Sequence, residues 1–581
     1  MNRFRHFTLF WLAPLIAGAL LALCYPPFDQ SWLVWLVPGT LVLLVRRIAR
    51  LSRKPGRSGF RVGWLAGASF FLINLKWLWT VTGVGAVALA LFLALFWGLW
   101  GWVVARVLGG STDKVAQSAF ERAGQSLWAA AFSGLAWVSA EFLRGKGLLA
   151  FSWNGLGTAF HETPVIAQSA DLVGVMGLSF VPVFISTVLA QTIVHMRDEL
   201  RAGKLRPHLD FGIAMLFLVG LFVYGVVRIQ QFSEPKDTES LGVLVVQQEI
   251  PQSIAWTTMN ASEIADGFRA LTSEAIETIH EDAAAGAGLG EVDEGGFQIP
   301  SVDLVVWPEV ALGEPLLFLE SGEQGLGMLN EQFLNQQVLP LGKFSLLTGM
   351  SELEMESDGE RWTVKEGGRR YNSLAAFSSD GQLLDSFRKT HLVIYGEYIP
   401  FIEQVPFLKT IFEKVTGQEY GGNIDAGTAR DALNISAGGH EFQVIPSVCF
   451  EDTVAPLNRE FVNAVPQVIV NVTNDGWFYG SEGGLQHSAN AVFRCIELRR
   501  PMIRCANAGV SGIIRATGTF YRSEEGKPLR NYGEKGWVYG RLPLPFASVT
   551  TVYAQFGDWF CWLSAAVTAV FFGLSWRRRK D

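Results

Sequence analysis

FQVIPSVCFED, residues 442–452, is a run rich in β-branched side chains that ends on a cysteine and two carboxylates. A short apolar run without polar alternation is typical of a strand that is buried on both faces of its sheet. Similar runs stand at 241–248, 302–309, 344–350 and 467–475, and residues 261–281 and 485–499 show helical spacing of apolar positions. This pattern predicts an α/β domain whose helices cover both sides of a sheet.

Three polar side chains follow these runs at the point where each predicted strand ends. Glu309, Cys449 and Asp475 stand at or directly after the last strand residue. Open α/β sheets usually gather their functional groups at strand ends, so we expect these side chains to share one site.

A nucleophilic thiol needs a base to take its proton and a cation to favour the anionic sulfur and oxygen. VVWPEVAL, residues 305–312, carries Glu309, and FRKTHL, residues 387–392, carries Lys389. A carboxylate serves as base only if burial or a like charge raises its pKa, and Glu397 and Glu451 are candidate neighbours for Glu309. The sequence thus predicts a thiol-based acyl-transfer centre.

The composition places the chain in a membrane. Of its 581 residues 49% are hydrophobic and 17% are charged, which is too apolar for an ordinary soluble enzyme. The net charge of -7 gives no global basic field, so we expect no nucleic-acid partner. The five cysteines lack metal-ligand spacing, so we expect no metal site.

Eight apolar segments are predicted membrane spans, because about 20 residues cross roughly 30 Å of hydrocarbon. They centre near Leu15, Val37, Phe70, Leu95, Leu135, Val183, Phe217 and Ala566. Basic residues cluster in alternate loops, which the positive-inside rule places in the cytoplasm together with both termini. Glu141, near the end of the fifth segment, is expected to be paired, with Arg144 as a candidate partner.

These patterns divide the chain into three parts. Residues 1–235 are predicted to hold spans one to seven, and residues 553–581 span eight with a basic cytoplasmic tail. The polar segment between them, 236–552, is predicted to be a catalytic domain on the outer side of the membrane.

The order of Glu309, Lys389 and Cys449 and their flanking strings resembles the nitrilase superfamily over about residues 240–545. With the predicted spans, nearly the whole chain resembles the bacterial apolipoprotein N-acyltransferase family, a membrane-integrated branch of that superfamily. Strings that carry this likeness include IPQSIAW ending at Trp256, KTHLVIYGEYIPF, NDGWF, QHSANAVFRCIELRR and NAGVSG.

The resemblance implies a four-layer αββα sandwich beside the eight-helix membrane domain, and it implies a role for each matching residue. Glu309 would be the general base, Lys389 the oxyanion stabiliser and Cys449 the nucleophile. The accessory positions would be Glu397, Glu451 and Phe450, and the family often has an aromatic hydroxyl where this chain has Phe450. The substrate-contacting tryptophan would be Trp256.

The implied reaction moves an acyl chain from the sn-1 position of a membrane phospholipid, through a cysteine thioester, to the α-amino group of the N-terminal S-diacylglyceryl cysteine of an apolipoprotein. It requires no cofactor, and we expect a monomer in the bacterial inner membrane. Two alternatives stay open: a membrane-tethered amidase or nitrile hydrolase, and a catalytically silent scaffold that binds lipoproteins.

Overall fold

The structure is a computed structural model, and it groups the chain into two compact units. It describes residues 8–109, 118–147, 150–203, 206–232, 239–251, 261–284, 301–359, 361–394, 396–402, 405, 407, 409–410, 413, 422–522, 528–544, 546 and 548–577. The helical unit comprises residues 1–233, 480–499 and 550–581, and the α/β unit comprises residues 234–479 and 500–549.

The α-helices follow one another along both units. In chain order they are α1 (Ala13–Ala22), α2 (Val37–Leu51), α3 (Pro55–Asn74), α4 (Trp79–Thr82), α5 (Val84–Leu108), α6 (Ala119–Arg144), α7 (Pro164–Ala167), α8 (Ala170–Leu178), α9 (Phe180–Ala202), α10 (Leu209–Gln231), α11 (Ala261–Ala284), α12 (Met328–Phe333), α13 (Ala455–Asn458), α14 (Gly483–Leu498), α15 (Val552–Phe556) and α16 (Trp559–Arg577).

Among the described residues, six helices are long and apolar enough to cross a membrane: Ser31–Leu51, which includes α2, together with α5, α6, α9, α10 and α16. They coincide with six of the eight predicted spans. The first predicted span is the shorter apolar stretch Thr8–Ala22. The third is α3, which has 20 residues but carries Arg57 and Arg61 in its first turns. The count of eight spans stays a prediction.

Residues 480–499 belong to the helical unit, although hydropathy alone places them inside the segment 236–552. Buried polar contacts explain the difference. The side-chain oxygen of Gln486 on α14 accepts hydrogen bonds from Trp77 (3.1 Å), Trp153 (3.0 Å) and Asn154 (2.9 Å). An average of hydropathy along the chain cannot register such contacts between distant segments.

The α/β unit contains two sheets. Their strands are β1 (Ser240–Gln247), β2 (Leu304–Trp307), β3 (Leu316–Leu319), β4 (Gln324–Leu326), β5 (Ser345–Ser357), β6 (Trp362–Val364), β7 (Arg370–Phe377), β8 (Leu383–Arg388), β9 (Leu433–Ala437), β10 (His440–Val448), β11 (Gln467–Thr473), β12 (Met502–Ala506), β13 (Val510–Ile514), β14 (Arg530–Tyr532) and β15 (Gly536–Pro543). The nine-stranded sheet has the main order β15-β1-β2-β5-β3-β4, and the six-stranded sheet has the order β14-β13-β12-β11-β10-β9.

The two sheets face each other. The thiol of Cys505 on β12 donates to the carbonyl oxygens of Val246 on β1 (3.4 Å) and Val306 on β2 (3.2 Å). On the opposite face of the nine-stranded sheet lies α11, whose Phe268 ring stacks on Trp307 with centroids 5.6 Å apart. All five predicted strand runs and the helix predicted at 261–281 are confirmed. The four-layer arrangement stays a prediction.

Polar partners inside the helical unit hold Glu141, which is buried on α6. Its Oε1 accepts hydrogen bonds from Trp137 Nε1 and the backbone N–H of Leu156, both at 2.8 Å, and its Oε2 accepts one from Ser179 Oγ at 2.6 Å. The expected pairing is therefore made with these three donors. Arg144, the candidate partner, donates to the carbonyl oxygen of Ser152 at 3.4 Å and interacts with Glu141 through its charge rather than through a hydrogen bond.

We expect Glu141→Ala to lower the thermal unfolding temperature in detergent, because it strands three buried donors at a cost of about 1–3 kcal/mol each. Glu141→Gln keeps an acceptor oxygen, so its unfolding temperature should lie between those of the unmodified protein and the Glu141→Ala variant. Glu162→Ala is the matched control, since the Glu162 side chain is 61% exposed. Equal unfolding temperatures for the Glu141→Ala and Glu162→Ala variants would contradict this account.

Candidate active site

Three strand ends deliver the predicted reactive side chains. Glu309 follows β2 after one proline, Lys389 directly follows β8, and Cys449 directly follows β10. The three groups influence one another's pKa, so the structure brings them together as the sequence predicts. Asp475, the third predicted strand-end group, instead binds the buried guanidinium of Arg504 at 3.2 Å.

Glu309 has the environment of a base. Burial raises the pKa of its carboxyl group, the charge of Lys389 lowers it, and the charge of Glu397 raises it again, with a net rise above the ordinary value. Oxygen Oε1 accepts a 2.6 Å hydrogen bond from Asn372 Nδ2. Within the described residues no N–H or O–H group donates to the buried Oε2. The side chain of Cys449 also lowers the pKa of this carboxyl group.

Lys389 is a buried cation with a dedicated counter-ion. Its Nζ lies 2.9 Å from both carboxylate oxygens of Glu397. Burial by itself lowers the pKa of Lys389, but the charges of Glu397, Cys449 and Glu309 raise it, and the net pKa lies above the ordinary value. The ammonium group therefore stays charged without water, as the stabiliser of a developing oxyanion must.

Cys449 occupies a strained turn. Its φ of 54° lies in the left-handed region, which costs a side chain of this kind about 1–3 kcal/mol and often marks a functional site. Asn471 Nδ2 donates to the carbonyl oxygen of Cys449 at 3.2 Å and holds the turn. Burial and the charge of Glu309 raise the pKa of the thiol, while Lys389 and a hydrogen bond with Thr473 lower it. The net pKa is raised, so the resting group is a neutral thiol.

The two accessory carboxylates have different surroundings. Glu397 binds Lys389 and also accepts a hydrogen bond from the backbone N–H of Val393 at 2.8 Å. Its charge raises the pKa of Glu309, as predicted for a neighbour.

Glu451 joins the cysteine turn to the lysine segment. Its Oε1 accepts hydrogen bonds from the N–H groups of Thr390 (2.7 Å) and His391 (2.9 Å), and its Oε2 accepts one from the N–H of Val448 (2.9 Å). It thus ties the backbone on both sides of the site. The ring of Phe450 stacks on His391 with centroids 6.1 Å apart.

The predicted role of Trp256 stays a prediction. Trp256 lies outside the described residues. All five cysteines are free, including Cys495 and Cys505. Within the part of the chain that the structure describes, no three His, Cys, Asp or Glu side chains are arranged to hold a metal ion.

Reasoning from the sequence missed three polar residues at the site, Asn372, Asn471 and Thr473. Asn372 and Asn471 lie inside β7 and β11, and Thr473 is the last residue of β11. All are buried. The available signal was a polar side chain within an otherwise apolar strand, since such a group needs a partner when it is buried.

Models of known families match both units. The apolipoprotein N-acyltransferase N-terminal domain matches residues 17–188, and the carbon-nitrogen hydrolase domain matches residues 271–537. Three relatives named apolipoprotein N-acyltransferase are similar over most of their length. The one from Brucella suis is 28% identical over 87% of this chain and 86% of its own, that from Geobacter metallireducens is 27% identical over 98% and 96%, and that from Rhodopseudomonas palustris is 28% identical over 94% and 91%.

The chain is similar to apolipoprotein N-acyltransferases over nearly its whole length. The matched regions confirm the resemblance that the three short strings indicate, and the carbon-nitrogen hydrolase match gives the second half of the chain a nitrilase-like fold. Glu309, Lys389 and Cys449 all lie inside that match.

Gly349 on β5 packs against the backbone that carries Glu309, the predicted base. Its N–H donates to the carbonyl oxygen of Pro308 (3.1 Å), and its carbonyl oxygen accepts from the N–H of Ala311 (2.9 Å). A Cβ atom on Gly349 would lie 2.5 Å from Glu309 Cα. The backbone that carries the carboxylate would have to shift.

We therefore expect Gly349→Ala to reduce acyl transfer by about 100-fold, since displacement of a reacting group by about 1 Å has that effect. The measurement is initial rate with phospholipid and diacylated peptide at equal amounts of folded protein. Gly325→Ala is the control, because a Cβ there meets only Trp362, at 3.9 Å. Unchanged activity of the Gly349→Ala variant would refute this role of the close contact.

Proposed function

We propose that the protein N-acylates apolipoproteins in two half-reactions on Cys449. The acyl donor is the sn-1 ester of a membrane phospholipid, and the acceptor is the α-amino group of an N-terminal S-diacylglyceryl cysteine. The observation that carries the proposal is the cluster of a half-buried thiol, a buried base and a buried, paired ammonium in a chain that matches both family models. We propose Glu309, Lys389 and Cys449 as its catalytic residues.

In the first half-reaction the sulfur of Cys449 attacks the ester carbonyl as Glu309 takes the thiol proton. The carbonyl oxygen becomes negative in the tetrahedral intermediate, and the Lys389 ammonium stabilises it. Loss of one such stabilising group typically costs about 3–4 kcal/mol of barrier. Collapse of the intermediate breaks the C–O bond, and the leaving lysophospholipid oxygen takes the proton from Glu309. A thioester stays on the enzyme.

In the second half-reaction the acceptor amine attacks the thioester carbonyl. An α-amine has a pKa near 8, so a useful fraction is neutral near pH 7. Glu309 accepts the proton that nitrogen loses, the C–S bond breaks, and the sulfur recovers that proton. The product is an amide with a third acyl chain. Every step uses side chains of this protein, and no cofactor enters.

Accessory roles follow from the contacts. Glu397 keeps Lys389 charged and in place through its 2.9 Å ion pair. Glu451 fixes the backbone on either side of the site, and Phe450 stacks on His391. Trp256 is proposed to contact substrate, on the family resemblance. The acting unit is proposed to be the monomer, since Glu309, Lys389 and Cys449 already meet within one copy of the chain.

We further propose a topology of eight spans in the bacterial inner membrane. Thr8–Ala22 and α3 support the two spans beyond the six long apolar helices. Alternating basic loops support cytoplasmic termini and a catalytic domain, formed by the α/β unit within residues 236–552, on the outer side. An α/β unit in four αββα layers is part of the same proposal.

The test is incubation of the purified protein with phospholipid vesicles and a diacylated lipopeptide, followed by mass spectrometry. We expect an acyl adduct on Cys449 and an N-acylated peptide. Release of free fatty acid without peptide acylation would instead favour a tethered hydrolase, and no turnover would favour a scaffold.

Cys449→Ala should abolish the adduct and the product, because no other described thiol shares the base and the ammonium. Cys24→Ala is the matched control, since Cys24 is a buried thiol outside this cluster, and it should keep both. Retained turnover in the Cys449→Ala variant would refute the proposed nucleophile.

The rate of adduct formation should depend on the ionisation of Glu309. Only the carboxylate form accepts a proton, so the rate falls as the pH drops through the pKa of Glu309. Burial raises that pKa, and we expect the acidic midpoint to lie above the value of about 4.3 of an ordinary glutamate. Glu309→Gln should lose this acidic limb together with most of the rate. A midpoint at or below about 4.3 would contradict the role of burial.

A further inference from the structure

Asn372 lies at the centre of the charged cluster, yet nothing in the reaction above uses it. It is 6% exposed on β7, and its Nδ2 donates both to Glu309 Oε1 at 2.6 Å and to Glu397 Oε1 at 3.2 Å. Its backbone carbonyl oxygen accepts the N–H of Lys389 at 2.7 Å. One residue therefore contacts the proposed base, its neighbouring carboxylate and the strand end that carries the ammonium.

The orientation of the side-chain amide is fixed by these partners. Both facing atoms are carboxylate oxygens, which only accept hydrogen bonds, so the amide nitrogen must point toward them. The amide oxygen Oδ1 is left buried without a donor among the described residues. An unpaired buried carbonyl lowers stability. The amide thus donates to both carboxylates although its unpaired oxygen lowers the stability of the fold.

We propose that Asn372 is a positioning residue that reserves Oε2 of Glu309 for the thiol proton. Oε1 is occupied by a short hydrogen bond, and an oxygen that already accepts such a bond is the weaker proton acceptor. Oε2 has no N–H or O–H donor in the described part of the chain. The proton that leaves Cys449 therefore goes to Oε2. Oε2 is likewise the oxygen that accepts the proton of the acceptor amine.

Asn372 also favours the ionised form of the base. Its hydrogen bond stabilises the carboxylate and lowers the pKa of Glu309, against the burial and the charge of Glu397 that raise it. Without the amide, two buried carboxylates would face each other with Lys389 as their shared counter-ion. Protonation of Glu309 would then compete with its role as base. Because this inference rests on the proposed function, its test needs a readout that does not require acyl transfer.

That readout is alkylation of Cys449 by iodoacetamide, followed by mass spectrometry of the full-length protein in detergent across a pH series. Glu309→Gln reports whether the base controls the thiol. For Asn372→Ala we expect the acidic limb of the alkylation rate to move up by about one pH unit. That shift corresponds to about a tenfold loss of rate below the midpoint and recovery at alkaline pH.

Asn372→Asp keeps the shape of the side chain, so it guards against a folding defect in the alanine variant. It places a third carboxylate against the other two, and we expect a larger upward shift than for alanine. Ser373→Ala is the matched control on the same strand, because the buried Ser373 hydroxyl has no partner in the described residues. It should leave the profile unchanged.

A loss of rate by one constant factor at every pH in both Asn372 variants would mean a merely structural role and would overturn the inference. So would profiles identical to that of the unmodified protein. If Glu309→Gln itself leaves the alkylation profile unchanged, the proposed base is wrong, and the proposed function fails independently of Asn372. The phospholipid adduct, measured in parallel, should show the same ordering of variants.

Discussion

The site depends on one constraint, an ammonium group held in a region that water does not reach. A buried cation costs several kcal/mol unless a counter-ion and further hydrogen bonds compensate for lost hydration. Glu397 meets Lys389 with both oxygens at 2.9 Å and is itself held by the N–H of Val393. Asn372 extends the network to Glu309. Because each partner is already engaged, the positive charge is held in one place, as the proposed role of Lys389 requires.

Two backbone turns at the site are strained. Val310, directly after the base, and Cys449 both have φ values in the left-handed region, 53° and 54°. Such conformations persist only when the surroundings over-determine them. The carboxylate of Glu451 bridges the N–H groups of Thr390 and Val448, and Gly349 brackets the turn of Glu309 on both sides. These hydrogen bonds stabilise the two strained turns that carry Glu309 and Cys449.

The sequence predicts the strands and the three reactive residues because both leave a local pattern: an apolar run, and a polar group where it ends. Asn372 leaves no such pattern, because its role depends on hydrogen bonds with two carboxylates, Glu309 and Glu397, that lie in other segments of the chain. The same holds for residues 480–499, which join the helical unit through Gln486, and for Glu141, whose donors include Ser179 rather than Arg144. Hydropathy and periodicity record composition along the chain, and they cannot record which buried polar groups meet across it.

The resting charges suit chemistry on a lipid ester. Burial keeps the thiol of Cys449 neutral, so a thiolate does not stand exposed to oxidants or to the wrong electrophile. In the proposed mechanism the proton passes from sulfur to Glu309 when an ester carbonyl arrives. Exclusion of water from the site would slow hydrolysis of the thioester. It would therefore favour the amine over water as the second nucleophile.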